Sequence, residues 1–180
     1  VLAAVLSQTG RRAQAAEVNQ KVVGISPQDA DAHYNLGITL KELGRLDEAE
    51  ASYRQAIALK PDSGGAHNNL GITLQAQGRS DEAEASYKQA IALQPDYPEA
   101  HNNLGNMLQK LGRLEEAETS YIQAIALKPD YAEAHSNLGV TIKELGRSDE
   151  AEANYRQAIA LKPDLSEAHS NLGFTLQELG

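Results

Sequence analysis

Asparagine occurs at one position of a 34-residue repeat in every copy along this chain, and this column is the pattern best suited to binding a ligand. A side-chain amide carries both donors and an acceptor, so a column of amides can hydrogen-bond the backbone of an extended peptide without reading its sequence. Asparagine also costs up to about 0.7 kcal/mol relative to alanine inside a helix. When Ala30 is counted as position 1 of the repeat, the column lies at position 6 and comprises Asn35, Asn69, Asn103, Asn137 and Asn171.

The asparagine column is also consistent with two origins that involve no ligand. The amides could bond neighbouring helices, or they could have been inherited passively when one unit was duplicated. Positions 19, 20 and 27 are equally uniform, which is what passive inheritance predicts.

The positions beside the column vary more, and we expect them to set the preference for a partner. Together they predict an amide-rich groove with an apolar edge, although an apolar position 9 is equally typical of packing between adjacent helices. Position 5 holds Tyr34, Asn68, Asn102, Ser136 and Ser170; position 9 holds Ile38, Ile72, Asn106, Val140 and Phe174; position 12 holds Lys41, Gln75, Gln109, Lys143 and Gln177.

The histidines form a second column, at position 4, which raises the question of a metal site. Packed helices lie about 8–10 Å apart and project equivalent side chains in parallel, whereas zinc ligands must converge to about 2.0–2.1 Å from the ion. We therefore expect no metal or other cofactor and no catalytic triad, and we interpret the rings as packing between helices. The column comprises His33, His67, His101, His135 and His169.

Composition excludes several classes of function. The net charge of −9 argues against nucleic acid, because phosphate binding needs clustered lysine and arginine. Cysteine is absent, which excludes disulfides and a thiol nucleophile. The longest apolar run, Val1–Leu6, is far too short to span a membrane and fits the end of a truncated helix better than a signal-peptide core.

Each repeat contains two helical patterns, seen most clearly in residues 98–131. Apolar residues recur with helical spacing before and after Gly112, which is expected as a left-handed residue ending the first helix. Pro129 ends the second helix, and Asp130 is predicted as the N-cap of the next one. Short loops make the helices of each pair antiparallel. The predicted single domain comprises a partial repeat (1–29), full repeats (30–63, 64–97, 98–131, 132–165) and a further first helix (166–180).

These motifs resemble the tetratricopeptide repeat (TPR). The resemblance rests on His101, Leu104, Gly105 and Leu108 in the first helix, and on Ala117, Tyr121, Ala124 and Pro129 in and after the second. It implies an all-α solenoid of helix pairs forming a right-handed superhelix, with the first helices lining a concave groove that binds peptides or extended protein segments. It carries no catalytic residues, so the chain is not expected to be an enzyme.

Within the family, the asparagine column resembles the ladder in the TPR region of O-linked N-acetylglucosamine transferases. The basic clamp with which some TPR proteins hold chaperone carboxyl termini is not expected, because acidic residues predominate where that clamp needs lysine or arginine. Position 2 holds Asp31, Gly65, Glu99, Glu133 and Glu167.

Three functional hypotheses follow. The first is an interaction scaffold for a protein or peptide partner, and the second is the substrate-docking arm of a larger glycosyltransferase-type enzyme. The third is an array that self-associates head to tail through Leu172, Leu176 and Leu179. If Ile122 is exposed, it marks either a second contact surface or an ordinary lone aliphatic side chain. The segment Ser63–Gly65 is interpreted either as a frayed start of a helix or as a hinge.

Overall fold

All regular structure in the part of the chain that the computed structural model describes, residues 11–180, is α-helical. The interpretation of Val1–Leu6 lies outside these residues. Ten helices follow one another: α1 (Arg12–Ile25), α2 (Ala30–Glu42), α3 (Leu46–Leu59), α4 (Gly64–Ala76), α5 (Ser80–Leu93), α6 (Pro98–Lys110), α7 (Leu114–Leu127), α8 (Ala132–Glu144), α9 (Ser148–Leu161) and α10 (Ser166–Leu179).

Contacts divide the chain into an amino-terminal unit, residues 1–95, and a carboxy-terminal unit, residues 96–180. In the first unit α2 pairs with α3 and α4 with α5; in the second α6 pairs with α7 and α8 with α9. Each even-numbered helix is the first helix of a repeat, and within a unit it also contacts the next first helix. The sequence prediction of an all-α solenoid is confirmed.

A tyrosine pressed against a glycine joins the two helices of each pair. In α6, a Cβ atom placed on Gly105 would lie only 2.7 Å from Cε1 of Tyr121, so the ring rests directly on the glycine backbone. Tyr121 is completely buried. Glycine is required here by the close approach of an aromatic ring. The other pairs are Gly37 with Tyr53, Gly71 with Tyr87, and Gly139 with Tyr155.

The helix ends confirm one sequence prediction and correct another. Gly112 adopts a φ of 72°, the left-handed conformation expected after the first helix. The N-cap of α8 is Tyr131 and not Asp130, because Pro129 and Asp130 form a turn before the helix begins. At this repeat position a side chain caps the helix only in the first two copies, where Asp29 and Ser63 accept backbone hydrogen bonds. Helix α4 begins at Gly64, which is the repeat position at which the other first helices also begin.

We expect Gly105→Ala to destabilise the fold. The added methyl group would displace the Tyr121 ring, and overpacking of this kind costs about 1–3 kcal/mol, against a gain of up to about 1 kcal/mol in helix propensity. Gly173→Ala is the matched control, because it lies at the same repeat position in α10 with nothing within 4 Å of the added atom. Urea denaturation should show a lower free energy of unfolding for the first variant and no decrease for the second. Equal effects would contradict the role assigned to the tyrosine–glycine contact.

We also expect stability to fall at alkaline pH. Burial raises the pKa of Tyr155 to about 12 and raises the pKa of Tyr53, Tyr87 and Tyr121 further still. Below the unfolded pKa of about 10 this contribution is fully present. Above that pH the unfolded chain ionises first, so the free energy of unfolding declines as pH rises towards the folded values. Tyrosinate absorbance should appear together with the loss of helicity; ionisation at about pH 10 with helicity intact would contradict the prediction.

Candidate functional site

The asparagine column lies on the surface carried by the first helices, here called the first-helix face: α2 and α4 in the amino-terminal unit, and α6, α8 and α10 in the carboxy-terminal unit. Asn35 is exposed and the other four members are half-buried. Because successive first helices touch within a unit, a position-6 amide reaches side chains of the preceding first helix. The two units use that contact differently.

In the amino-terminal unit the amide of Asn69 is engaged by two side chains of α2. Its Nδ2 donates to Tyr34 Oη at 2.9 Å, and its Oδ1 accepts from Lys41 Nζ at 3.1 Å. Burial lowers the pKa of the Lys41 ammonium and raises the pKa of the Tyr34 phenol. Both ends of this amide therefore have partners within their own unit.

In the carboxy-terminal unit the corresponding amide, Asn137, belongs to a cluster of amides. Its Nδ2 donates to Asn102 Oδ1 at 3.2 Å and to Asn106 Oδ1 at 2.9 Å. The buried Tyr121 hydroxyl donates to Asn106 Oδ1 at 2.8 Å and reaches Gln109 Oε1 at 3.1 Å. The single polar residue at position 9, Asn106, thus links the core tyrosine to the asparagine column.

A cleft of about 430 Å³ opens beside this cluster. Its floor contains Asn102, which is 6% exposed, and Ser136, which is 2% exposed and whose Oγ has no hydrogen-bond partner. We call this the amide cleft. Its lining comprises Asn102, Asn106, Tyr131, Glu133, Ser136, Asn137, Leu165 and Glu167.

The rim of the amide cleft is acidic. Glu133 Oε1 accepts from Lys162 Nζ at 2.8 Å, and this bond holds the pKa of the Glu133 carboxyl below its usual value. The pKa of the half-buried Tyr131 phenol is raised by burial and by the nearby Glu99 and Glu133. The cleft therefore combines amide groups on its floor with a phenol ring and a leucine at its sides and carboxylates at its edge.

The structure divides the residues predicted beside the column into two groups. Asn68 and Asn102 are buried, at 4% and 6% exposure, and Asn102 lines the amide cleft. At positions 9 and 12 all members but Phe174 and Gln177, which are exposed, are half-buried, and Gln75 accepts from Tyr87 Oη at 2.8 Å. The half-buried members are Ile38, Ile72, Asn106, Val140, Lys41, Gln75, Gln109 and Lys143.

Sequence reasoning missed Tyr131 and Leu165 as lining residues. Both occupy position 34 of the repeat, immediately before the first helix of the next one. A signal was present, because this position changes from Asp29 and Ser63 in the early copies to large side chains later in the chain. Their contact with the cleft depends on packing between repeats, which periodicity alone does not show.

Four histidines contact the turn that precedes their own first helix. His135 Nε2 lies 3.1 Å from the Pro129 carbonyl oxygen, and the same contact is made by His33, His67 and His169 with the equivalent prolines. Each of these rings therefore has a structural partner six residues earlier. Among residues 11–180, no three His, Cys, Asp or Glu side chains are grouped so that they could hold a metal ion.

The other face carries a second cleft, of about 400 Å³, in the amino-terminal unit between α3 and α5. Ile57 and Leu70 line it, and Arg54 at its edge is ion-paired with Glu50 at 2.9 Å. Ile122, in the other unit, is 46% exposed. Within the described residues, no helix has the length and apolar character needed to cross a membrane.

Comparison with solved structures finds many proteins of the same fold. MamA is 23% identical with a TM-score of 0.80, over 93% of this chain and 98% of that one. A thermophilic TPR protein of Thermus thermophilus, TTC0263, is 27% identical with a TM-score of 0.76, over 98% and 96%. YrrB, described as a TPR protein with an unusual peptide-binding site, is 24% identical with a TM-score of 0.74, over 93% and 87%.

Comparison with curated protein sequences gives no match. Family models do match. A TPR repeat model matches residues 74–112, 105–146 and 141–180, which together exceed half of the chain. Two tetratricopeptide repeat models match residues 30–63 and 52–85. The repeat of paired helices and these matches agree, and the chain belongs to the tetratricopeptide repeat family.

Proposed function

We propose that this chain is a protein-interaction module that holds an extended segment of a partner protein against its first-helix face. The observation that carries the proposal is the amide cleft, where the side chains of Asn102, Asn106 and Asn137 lie together beside open space. Amides offer donors and acceptors that match a peptide backbone. A concave site with a few convergent polar groups is also the usual form of a binding site.

The proposed contact surface consists of half-buried and exposed residues of the asparagine column and of positions 5, 9 and 12 beside it. In the carboxy-terminal unit it comprises Asn103, Asn106, Gln109, Asn137, Val140, Lys143 and Asn171, and in the amino-terminal unit Tyr34, Asn35, Ile38, Lys41, Asn69, Ile72 and Gln75. Asn69 and Asn137 are both engaged by side chains of the preceding first helix, and the amide cleft is the favoured first contact because open space adjoins its amides.

The family and its neighbours support the binding class. YrrB is described by its peptide-binding site, and it shares the fold of this chain. The acidic rim formed by Glu133 and Glu167 disfavours a terminal carboxylate, since like charges repel. The part of the partner segment that crosses the cleft is therefore proposed to be an internal stretch of the partner chain or to carry neutral or basic groups.

We expect Asn137→Ala to weaken peptide binding by about tenfold or more, equivalent to about 1.4 kcal/mol. The change removes the amide that connects α8 to Asn102 and Asn106. Peptides selected from a random library on the wild-type chain should be measured by fluorescence anisotropy on both proteins. The matched control is Asn154→Ala in α9, whose Nδ2 bonds only within its own helix, to the Glu150 carbonyl oxygen.

Circular dichroism must show that both variants retain their helicity. If Asn137→Ala binds the selected peptides as tightly as the wild type, the amide cleft is not the binding site. If the control loses binding equally, the effect does not come from the first-helix face.

A second candidate function, self-association, is favoured by the apolar surface of α10. Phe174 is 62% exposed, Leu176 40% and Leu179 43%, and nothing lies within 4 Å of a Cβ placed on Gly173. In every full repeat this glycine position is covered by a tyrosine. A helix from a second copy would cover the same surface.

Self-association predicts that the mass measured by light scattering rises with protein concentration. Phe174→Ser should reduce that rise, because it removes the most exposed apolar side chain of α10. A constant monomer mass over the whole concentration range would rule this candidate out.

A further inference from the structure

The two units contain the same three-residue constellation with different side chains. Repeat positions 5, 2 and 6 meet where one first helix packs on the next. In the amino-terminal unit the three residues are Tyr34, Gly65 and Asn69; in the carboxy-terminal unit they are Asn102, Glu133 and Asn137. The first set therefore serves as an internal template for what the second set can accommodate.

In the amino-terminal unit a phenol fills the constellation. Tyr34 Oη accepts from Asn69 Nδ2 at 2.9 Å. The same oxygen and the adjacent ring carbon lie 3.4 and 3.8 Å from a Cβ placed on Gly65, which is ordinary contact. A tyrosine side chain is thus compatible with the space between positions 2 and 6 and with the asparagine amide.

In the carboxy-terminal unit the tyrosine is replaced by Asn102, whose side chain is too short to fill that space. The amide cleft lies there, lined by Asn102, Glu133 and Asn137. The hydrogens of Asn137 turn instead to the carbonyl oxygens of Asn102 and Asn106. The Oγ of Ser136, on the floor, has no hydrogen-bond partner, and a buried polar group without a partner is destabilising.

We propose that the amide cleft takes a tyrosine side chain of the partner segment, with its phenol oxygen replacing Asn102 Oδ1 as an acceptor from Asn137 Nδ2, as Tyr34 accepts from Asn69. This inference rests on the proposed function and names the residue type that the cleft selects. Tyr131 and Leu165 line the cleft beside the amides, so the ring has an aromatic and an aliphatic wall to pack against.

The acidic rim predicts how the site responds to modification of that tyrosine. Glu133 and Glu167 line the same cleft, and a phosphate group carries about −1.5 to −2 charges at neutral pH. Phosphotyrosine would place this charge beside these carboxylates, and no arginine lines the cleft. The two lysines nearby are already paired with carboxylates, Lys162 with Glu133 at 2.8 Å and Lys128 with Glu99 at 3.8 Å. The cleft is therefore expected to select the unmodified side chain.

The inference is tested by NMR titration of the isotope-labelled chain with N-acetyl-tyrosinamide. Saturable shifts are expected at Ser136 and in the side-chain amide of Asn137. N-acetyl-phenylalaninamide should bind several-fold more weakly, since it lacks the hydroxyl that makes the hydrogen bond, and the phosphotyrosine analogue should give no shifts. Equal affinity for the tyrosine, phenylalanine and leucine amides would overturn the inference.

Asn102→Tyr should abolish this binding, because the new ring would fill the cleft from within as Tyr34 fills its counterpart. The matched control is Asn154→Tyr on α9, outside the cleft. Asn137→Ala is a second variant that adds no bulk, and it should reduce the affinity for N-acetyl-tyrosinamide to that for the phenylalanine amide. Unchanged affinity in either cleft variant would overturn the inference.

The proposed function and this inference fail in different ways. If library peptides lose binding with Asn137→Ala but are not enriched in tyrosine and are not displaced by N-acetyl-tyrosinamide, the inference is wrong and the binding function stands. If the chain selects no peptides at all, the proposed function is wrong as well.

Discussion

The contact between a buried tyrosine and a helical glycine is the interaction on which each repeat depends. Tyr121 and its counterparts are fully buried, and only a residue without Cβ lets the first helix come so near to the ring. That distance sets how the two helices of a pair pack. It therefore also sets where the next first helix lies, and so which side chains of successive first helices meet.

Hydrogen bonds connect the hydroxyl groups of two of these buried tyrosines to side chains of the first helices. Tyr87 and Tyr121 donate to glutamines at position 12 of their repeats, whereas the hydroxyl of Tyr53 is buried without a partner. The residue at position 12 of that repeat is Lys41, which is a donor only and bonds Asn69 instead. Position 12 thus supplies a hydrogen-bond partner to the core tyrosine in two repeats and to the asparagine column in another.

One residue position distinguishes a filled site from an open one. The phenol of Tyr34 occupies the space beside Asn69, and Asn102 leaves the matching space beside Asn137 empty. Repeats with the same backbone can therefore present different surfaces, because a helix–helix contact of constant geometry is lined by side chains of different volume. In this chain, variation at position 5 changes the space beside the asparagine column while position 6 stays constant.

The sequence by itself determined the repeat, the ten-helix pattern of the described chain, the left-handed glycine turns and the family. These follow from local spacing, because helical periodicity and the conformational freedom of Gly112 are properties of a short stretch of chain. The sequence left the choice between binding and packing open for the asparagine column and for position 9.

Tertiary structure alone decided the rest. The burial of Asn68, Asn102 and Ser136 at position 5 and the opening of the amide cleft each depend on the distance between side chains from different repeats. Tyr131 and Leu165 line the cleft only because one repeat is packed on the next. Periodicity places a residue on a face of its own helix, whereas the space in front of that face is set by the volume of the side chains opposite.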